Sequence, residues 1–153
     1  MSSARFQASI QPITARQARP LREVVLRPGD PPEKSIYPQD HMPQVLHAGA
    51  WLEDQLVGIA TVFPETPPWE PIPDAWRLRG MAVLAPARGL GIGKQLVRYC
   101  LEHIQSGGGR LLWCNARVSA LPFYQGLGFQ TFGEEFLSPE SGPHFQMFKT
   151  IRG

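Results

Sequence analysis

Residues 76–106 read WRLRGMAVLAPARGLGIGKQLVRYCLEHIQS, and this stretch decides the fold. Trp76 to Leu84 reads as a strand, Ala85 to Leu90 as a tight turn, and Gly91 to Ser106 as an amphipathic helix. Ile92, Leu96, Val97, Cys100, Leu101 and Ile104 recur at helical spacing on one side, with Lys94, Gln95, Arg98, Glu102, His103 and Gln105 mostly opposite. Gly107, Gly108 and Gly109 stop the helix. The first N–H groups of a helix have no partners inside it, and the helix dipole places partial positive charge there. Gly89, Gly91 and Gly93 let an anion approach the backbone, and Arg88 and Lys94 add full charges. The stretch therefore predicts a site for a phosphate-like anion, against the plainer reading of a simple strand-to-helix connection.

The spacing excludes two phosphate binders. A P-loop needs GxxxxGK[ST], but Gly93-Lys94 is followed by Gln95 and position 88 is Arg, so no hydroxyl is present for a magnesium ion. A dinucleotide fingerprint needs GxGxxG, and here the third glycine comes one residue early. Arg88, Gly91 and Gly93 instead match the pattern [RQ]xxGx[GA] position for position, and the segment resembles the acyl-CoA signature of the GNAT superfamily, the GCN5-related N-acetyltransferases. Further on, Phe123-Tyr124-Gln-Gly-Leu-Gly128-Phe129 resembles the FYxxLGF motif of the same family. Both motifs stand in the right order, joined by a strand, and the resemblance covers residues from about 76 to 132. The tail, with Gly142-Pro143-His144 and Met147, is similar to that of an uncharacterised bacterial branch of the family.

The resemblance implies a mixed α/β (α+β) GNAT fold. That fold has a central mixed sheet of six to seven strands, flanked by about four helices and splayed between strands 4 and 5. It implies a single acyltransferase domain over residues 1–153. It implies acetyl-CoA as co-substrate, held by Met81, Ala82 and Val83 through their backbone and by the turn Arg88, Gly89, Leu90, Gly91, Ile92, Gly93 and Lys94. It implies direct acetyl transfer to a primary amine of a small molecule or peptide. Tyr124 matches the family tyrosine that protonates the departing thiolate, a sensible role for a phenol near pKa 10. Its plainer reading is a core tyrosine on a short helix.

Two departures matter. Many family members carry a Glu on the fourth strand as base, where this chain has Arg77 and Arg79. Glu65, His144 or a chain of waters are the remaining candidates for the base, and a hydrogen-bonded strand histidine is the plainer reading of His144. The family often places Asn seven residues before the tyrosine, but that position is Arg117 here, and Asn115 stands two residues earlier. A non-catalytic acyl-CoA binder or sensor is the alternative function.

The rest of the chain fits around this centre. Arg5 to Ile13 reads as a first strand. Thr14 reads as the N-cap of a helix to about Leu26, with Pro20 too deep for its first turn. Ala18, Leu21, Val25 and Leu26 are expected to face the core, and Arg16, Arg19, Arg22 and Glu23 to be solvated. Proline-rich residues 28–43, including His41, form a shaped loop. Val45–Leu52 and Leu56–Phe63 form a hairpin in which His47 is a strand residue. Pro64 to Asp74 is a second proline loop whose Trp69 either walls a pocket or covers the surface. Arg110 to Asn115 is an apolar strand of a sheet buried on both faces. A short helix ending near Gln125, a strand from Phe129 to Phe136, a turn over 138–143 and a closing strand from His144 to Ile151 complete the order.

Composition bounds the function. With 153 residues, 42% hydrophobic and 18% charged, the chain is globular in character and large enough for one core. A net charge of +2 argues against nucleic acid as partner. Twelve of the 15 basic residues are Arg, which favours fork-like recognition of phosphate or carboxylate. Cys100 and Cys114 form no CxxC or Cys/His spacing, so no metal site is expected and both thiols should be buried. The absence of a long apolar run predicts no membrane span and a cytoplasmic location. Exposed sheet edges in such a fold are compatible with a homodimer.

Overall fold

The computed structural model describes residues 7–139 and 142–151. Arg5 and Phe6 of the expected first strand, and part of the 138–143 turn, lie outside these. The strands are β1 (Ser9–Pro12), β2 (Leu46–Leu52), β3 (Gln55–Pro64), β4 (Ala75–Val83), β5 (Leu111–Arg117), β6 (Gln130–Ser138) and β7 (Gly142–Thr150). The α-helices among the described residues are α1 (Ala15–Leu21), α2 (Ile92–Ser106) and α3 (Leu121–Gly126), three where about four were expected. The strand order is β1-β2-β3-β4-β5-β7-β6. β4 and β5 pair in parallel, whereas β1–β2, β2–β3, β5–β7 and β6–β7 are antiparallel, so the sheet is mixed as expected. The parallel register joins Ala75, Trp76 and Arg77 to Leu111, Leu112 and Trp113. β4 then runs on to Val83 and β5 to Arg117.

The chain divides into two compact units. The first holds the described residues to Phe63 together with Gly80–His103, and the second holds Pro64–Arg79 and the described residues from Ile104 onward.

In the first unit, Thr14 caps α1 as predicted. Its hydroxyl accepts from the Gln17 N–H at 3.1 Å, and the Gln17 side chain accepts from the Thr14 N–H at 2.8 Å, a reciprocal pair that sets the helix start. Pro20 sits inside the helix. It has no N–H to give and its ring crowds the carbonyl four residues back. The chain continues past it as a wider π turn, Arg22–Leu26, in which the Arg27 N–H reaches back five residues to the Arg22 carbonyl at 3.0 Å. This winding, not a fourth α-helix, completes the segment expected to reach Leu26. Ala18 and Leu21 pack with Ile59 of β3 and Ala82 of β4, and Val25 and Leu26 join them. The apolar side of α2 is likewise buried at Ile92, Leu96, Val97 and Cys100. It settles on β3 at Gly58, where an added Cβ would stand 3.0 Å from Leu96 and 3.1 Å from Ile92.

One expectation is overturned in this unit. Arg22 is not solvated but fully buried, at 0% exposure. Its position four residues after Ala18 puts it on the inward side of the helix, and a buried carboxylate meets it there.

In the second unit, Leu111, Leu112, Trp113 and Cys114 are all buried, as the continuous apolar run of β5 predicts. Trp69 of the second proline loop closes over this sheet. It stacks on Phe132 with centroids 4.4 Å apart, and meets Trp113 edge-on at 6.0 Å. Trp69 thus covers the sheet, the second of its two readings. On β6 the register jumps from Phe132↔Gln146 to Phe136↔His144, so Gly133, Glu134 and Glu135 bulge out.

Both thiols lie in apolar surroundings, and burial pushes Cys100 and Cys114 each up to about 12. The reactive thiolate is therefore scarce in the folded protein. An aromatic disulfide reagent at pH 8 is expected to find no thiol until denaturant is added, and then two per chain.

Candidate active site

The predicted anion turn forms as a strand–turn–helix. β4 ends at Val83, Ala85–Ala87 make one 3-10 turn, and α2 begins at Ile92. The Leu84 N–H donates to the Val57 carbonyl at 2.8 Å and ties the end of β4 to β3. The Gln95 N–H donates to the Gly91 carbonyl at 3.1 Å. The N–H groups of Ile92, Gly93 and Lys94 precede it, in the position where a helix has no internal acceptors. Gly89 and Gly91 take φ values of +82° and +79°, and a Cβ built on either meets nothing within 4 Å. The left-handed turn is open space rather than packed contact. Arg88 donates through Nε to the Val83 carbonyl at 3.1 Å. That bond anchors the guanidinium beside the helix start. Met81 and Val83 are half-buried, and Ala82 is buried.

β4 does not reach this turn in regular extended form. Gly80 has φ +68°. Beside it lies a polar cluster that sequence reasoning missed. Arg22 donates to both oxygens of Asp40, at 2.9 and 3.0 Å, to the Ser35 carbonyl at 3.0 Å and to the Thr61 hydroxyl at 3.0 Å. Its guanidinium lies 3.8 Å above the ring of Tyr37. The Tyr37 N–H donates to Asp40 at 3.0 Å. His47 completes the cluster through Thr61, at 2.8 Å, and the Asp40 carbonyl, at 3.0 Å. His47 is thus a packed strand residue. Burial alone would raise the Asp40 carboxyl. Hydrogen bonds from Arg22 and the Tyr37 N–H, with the Arg22 charge, outweigh it and hold Asp40 below the usual carboxylate range. Burial lowers His47 below its ordinary value and the Arg22 charge adds to this, against the contacts of Asp40. The i+4 spacing from Ala18 to Arg22 was the available signal for this cluster.

In the second unit, Tyr124 is on α3 and buried at 6% exposure. Phe123 and Phe129 meet its ring edge-on, with centroids at 5.0 and 5.3 Å. The N–H groups of Leu127 and Phe129 both donate to its carbonyl at 3.0 Å, so the LGF part of the motif folds back on the tyrosine. Glu65 accepts from Arg77 at 3.1 Å, and Arg77 lies 4.9 Å from the ring of Trp113. The arginine that replaces the expected carboxylate on β4 is thereby bound to the candidate carboxylate on the loop. Trp113 donates through Nε1 to the Glu65 carbonyl at 2.9 Å and fixes the loop. Asn115 pairs with Gln146, and Arg117 with His144, across β5 and β7. Alternation along β5 and β7 puts Asn115, Arg117 and His144 on one sheet face. His144 is buried, stacked on Phe136 at 5.7 Å, with its Nδ1 2.8 Å from the Gly142 carbonyl.

Among the described residues, no group of three or more His, Cys, Asp or Glu side chains could hold a metal ion. No helix there is long and apolar enough to cross a membrane.

A mixed seven-stranded sheet whose fourth strand leads through an open, arginine-anchored glycine turn into a helix defines the protein as α/β. Residues 14–129 match the acetyltransferase (GNAT) family. The chain belongs to that family. It is 32% identical over 143 residues to an uncharacterised N-acetyltransferase of Bacillus subtilis, YitI, covering 94% of this chain and 96% of that one. It is 35% identical over 100 residues to N-acetyltransferase family 8 member 2 of Rattus norvegicus, covering 60% of this chain and 43% of that one. Two solved structures share the fold at low identity. ElaA of Escherichia coli has a TM-score of 0.77 at 21% identity, covering 94% of this chain and 99% of its own. An aminoglycoside 6'-N-acetyltransferase complexed with coenzyme A has a TM-score of 0.77 at 18% identity, covering 95% and 98%.

Proposed function

We infer that the chain acts as one N-acetyltransferase domain, moving an acetyl group from acetyl-CoA to a primary amine of a small molecule or peptide by direct attack. The observation that carries this reading is the open turn at Gly89 and Gly91, with Arg88 anchored to Val83 and the first N–H groups of α2 beside it. The coenzyme A complex of a protein of the same fold supports it. A helix end contributes about 0.3–1 kcal/mol per exposed charge. Micromolar binding needs about 8 kcal/mol. The turn is therefore one part of the grip, and the backbone of Met81, Ala82 and Val83 supplies the other. Bound acetyl-CoA supplies the thioester carbonyl that the amine attacks. A backbone N–H of the Met81–Val83 segment is suited to hold the oxyanion that develops there. The phenol of Tyr124 is suited to give its proton to the sulfur. Asn115, two residues before the position where the family often has asparagine, is suited to take over the contact to the pantetheine arm.

Removal of the amine proton falls to His144, to Glu65 or to water. The Glu65–Arg77 ion pair favours one other reading, an acyl-CoA binder without turnover, because the carboxylate is already engaged by a guanidinium instead of pointing to an amine.

A thermal-shift titration tests the coenzyme assignment. Acetyl-CoA at about 100 times its dissociation constant adds roughly 2.7 kcal/mol. That corresponds to about 5–10 °C for a chain of this length. NAD and ATP should give no shift. A shift with NAD, or none with acetyl-CoA, would dismiss the coenzyme site. Thiol release with an amine panel then separates the enzyme from the silent binder.

A further inference from the structure

We propose that Arg22, with Tyr37 and Asp40, is a positioning residue for the coenzyme-binding edge of β4, acting through the backbone at Gly80. This rests on the acetyl-CoA reading above. Gly80 immediately precedes Met81, and its φ of +68° takes the strand out of extended form. In the left-handed region a Cβ crowds the following carbonyl oxygen, so glycine takes this place freely and an L residue does not. The direction of the Met81 N–H follows from the Gly80 dihedrals. Whatever fixes Gly80 therefore fixes the donors and acceptors that Met81, Ala82 and Val83 present.

The cluster fixes Gly80 by contact. Where its Cβ would be, Tyr37 Cε2 stands at 3.0 Å, the Tyr37 hydroxyl at 3.3 Å and Arg22 Nε at 3.4 Å. Arg22 is gripped from three segments at once: Asp40 and Ser35 of the first proline loop, Thr61 of β3, and its own π turn. The stack on Tyr37 and the bond from the Tyr37 N–H to Asp40 close the arrangement. A buried ion pair is a weak source of stability, because apolar residues of equal volume hold a loop as well. The fork geometry adds direction. A planar guanidinium gripped by a carboxylate and stacked on a planar ring fixes a direction as well as a distance.

The test uses the ¹⁵N-labelled full chain and measures the Met81–Val83 amide resonances without ligand and the acetyl-CoA affinity. Tyr37→Leu, Asp40→Asn and Gly80→Ala are the probes. Tyr37→Phe keeps the ring on Gly80 and serves as the conservative rescue. Leu112→Ala, in β5, controls for lost stability alone. Folded Tyr37→Leu, Asp40→Asn and Gly80→Ala should move those amide resonances and weaken acetyl-CoA binding about tenfold. Tyr37→Phe and Leu112→Ala should leave both in place. Unmoved Met81–Val83 amides and unchanged affinity in any folded probe would overturn the proposal. An equal loss of affinity in Leu112→Ala would also overturn it, by showing stability to be the cause. If the amides move but the wild-type protein binds no acetyl-CoA, the coenzyme reading fails. The assigned role then falls with it, while the mechanical link between Arg22 and β4 is seen to exist.

Discussion

Arg22→Met is expected to lower the unfolding free energy by about 3–5 kcal/mol, the usual effect of removing one partner from a buried ion pair. Both side chains of the pair are at 0% exposure. Methionine fills much of the volume but leaves the Asp40 carboxylate buried, with the Tyr37 N–H still donating to it but the guanidinium gone. It also leaves the Ser35 carbonyl and the Thr61 hydroxyl without their guanidinium donor. The double variant Arg22→Met, Asp40→Leu removes the orphan charge and should recover most of the loss. Urea unfolding of the two variants measures the difference, and equal losses would show the charge to be irrelevant. Acid should act on the same cluster. His47 is lowered in the folded state from its ordinary 6.5, so below pH 6.5 the unfolded chain takes up a proton that the folded chain resists, and stability falls with pH. Asp40 is lowered from 3.8, so its contribution is complete above that pH and is lost as pH falls through its folded value. The expected profile declines first below pH 6.5 and again below 3.8. In Asp40→Asn the second step should vanish.

Tyr124→Phe is expected to reduce turnover about 100-fold or more, the usual range for a lost general acid or base, with acetyl-CoA affinity nearly intact. The ring keeps its edge-on contacts with Phe123 and Phe129, and its backbone carbonyl still accepts from Leu127 and Phe129, so α3 should hold its shape. Only the phenolic hydroxyl is removed. The test is steady-state kinetics beside a coenzyme titration. Unchanged turnover would assign the proton to water, whereas lost binding would make the residue structural.

The fold was readable because its central signals are local. The helical period of α2 and the glycine turn occupy one continuous stretch, and the FYxxLGF segment supplies the second anchor. The apolar run of β5 announced a strand buried on both faces, and Thr14 announced the start of α1. What could not be read depends on contacts distant in sequence. Arg22 sits on the inward side of its helix by spacing, but an arginine there reads as solvated until Asp40, 18 residues on inside a proline loop, is known to meet it. The π turn that carries it follows from Pro20, whose awkward place was visible but whose outcome was not. The candidate base is legible only as residue types. That Glu65 would be tied to Arg77 could not be foreseen, since the loop and β4 each carry several charges.

The tryptophans of this chain are unevenly placed, and this gives the protein a built-in optical label. Of the four, at positions 51, 69, 76 and 113, three belong to the second unit. Trp76 and Trp113 are buried, and Trp69 lies among aromatic rings. Intrinsic emission is therefore weighted toward the start of β4, toward β5 and toward the loop that packs on them. The cluster around Arg22, in the first unit, sits in a spectrally quiet region, where Trp51 alone contributes.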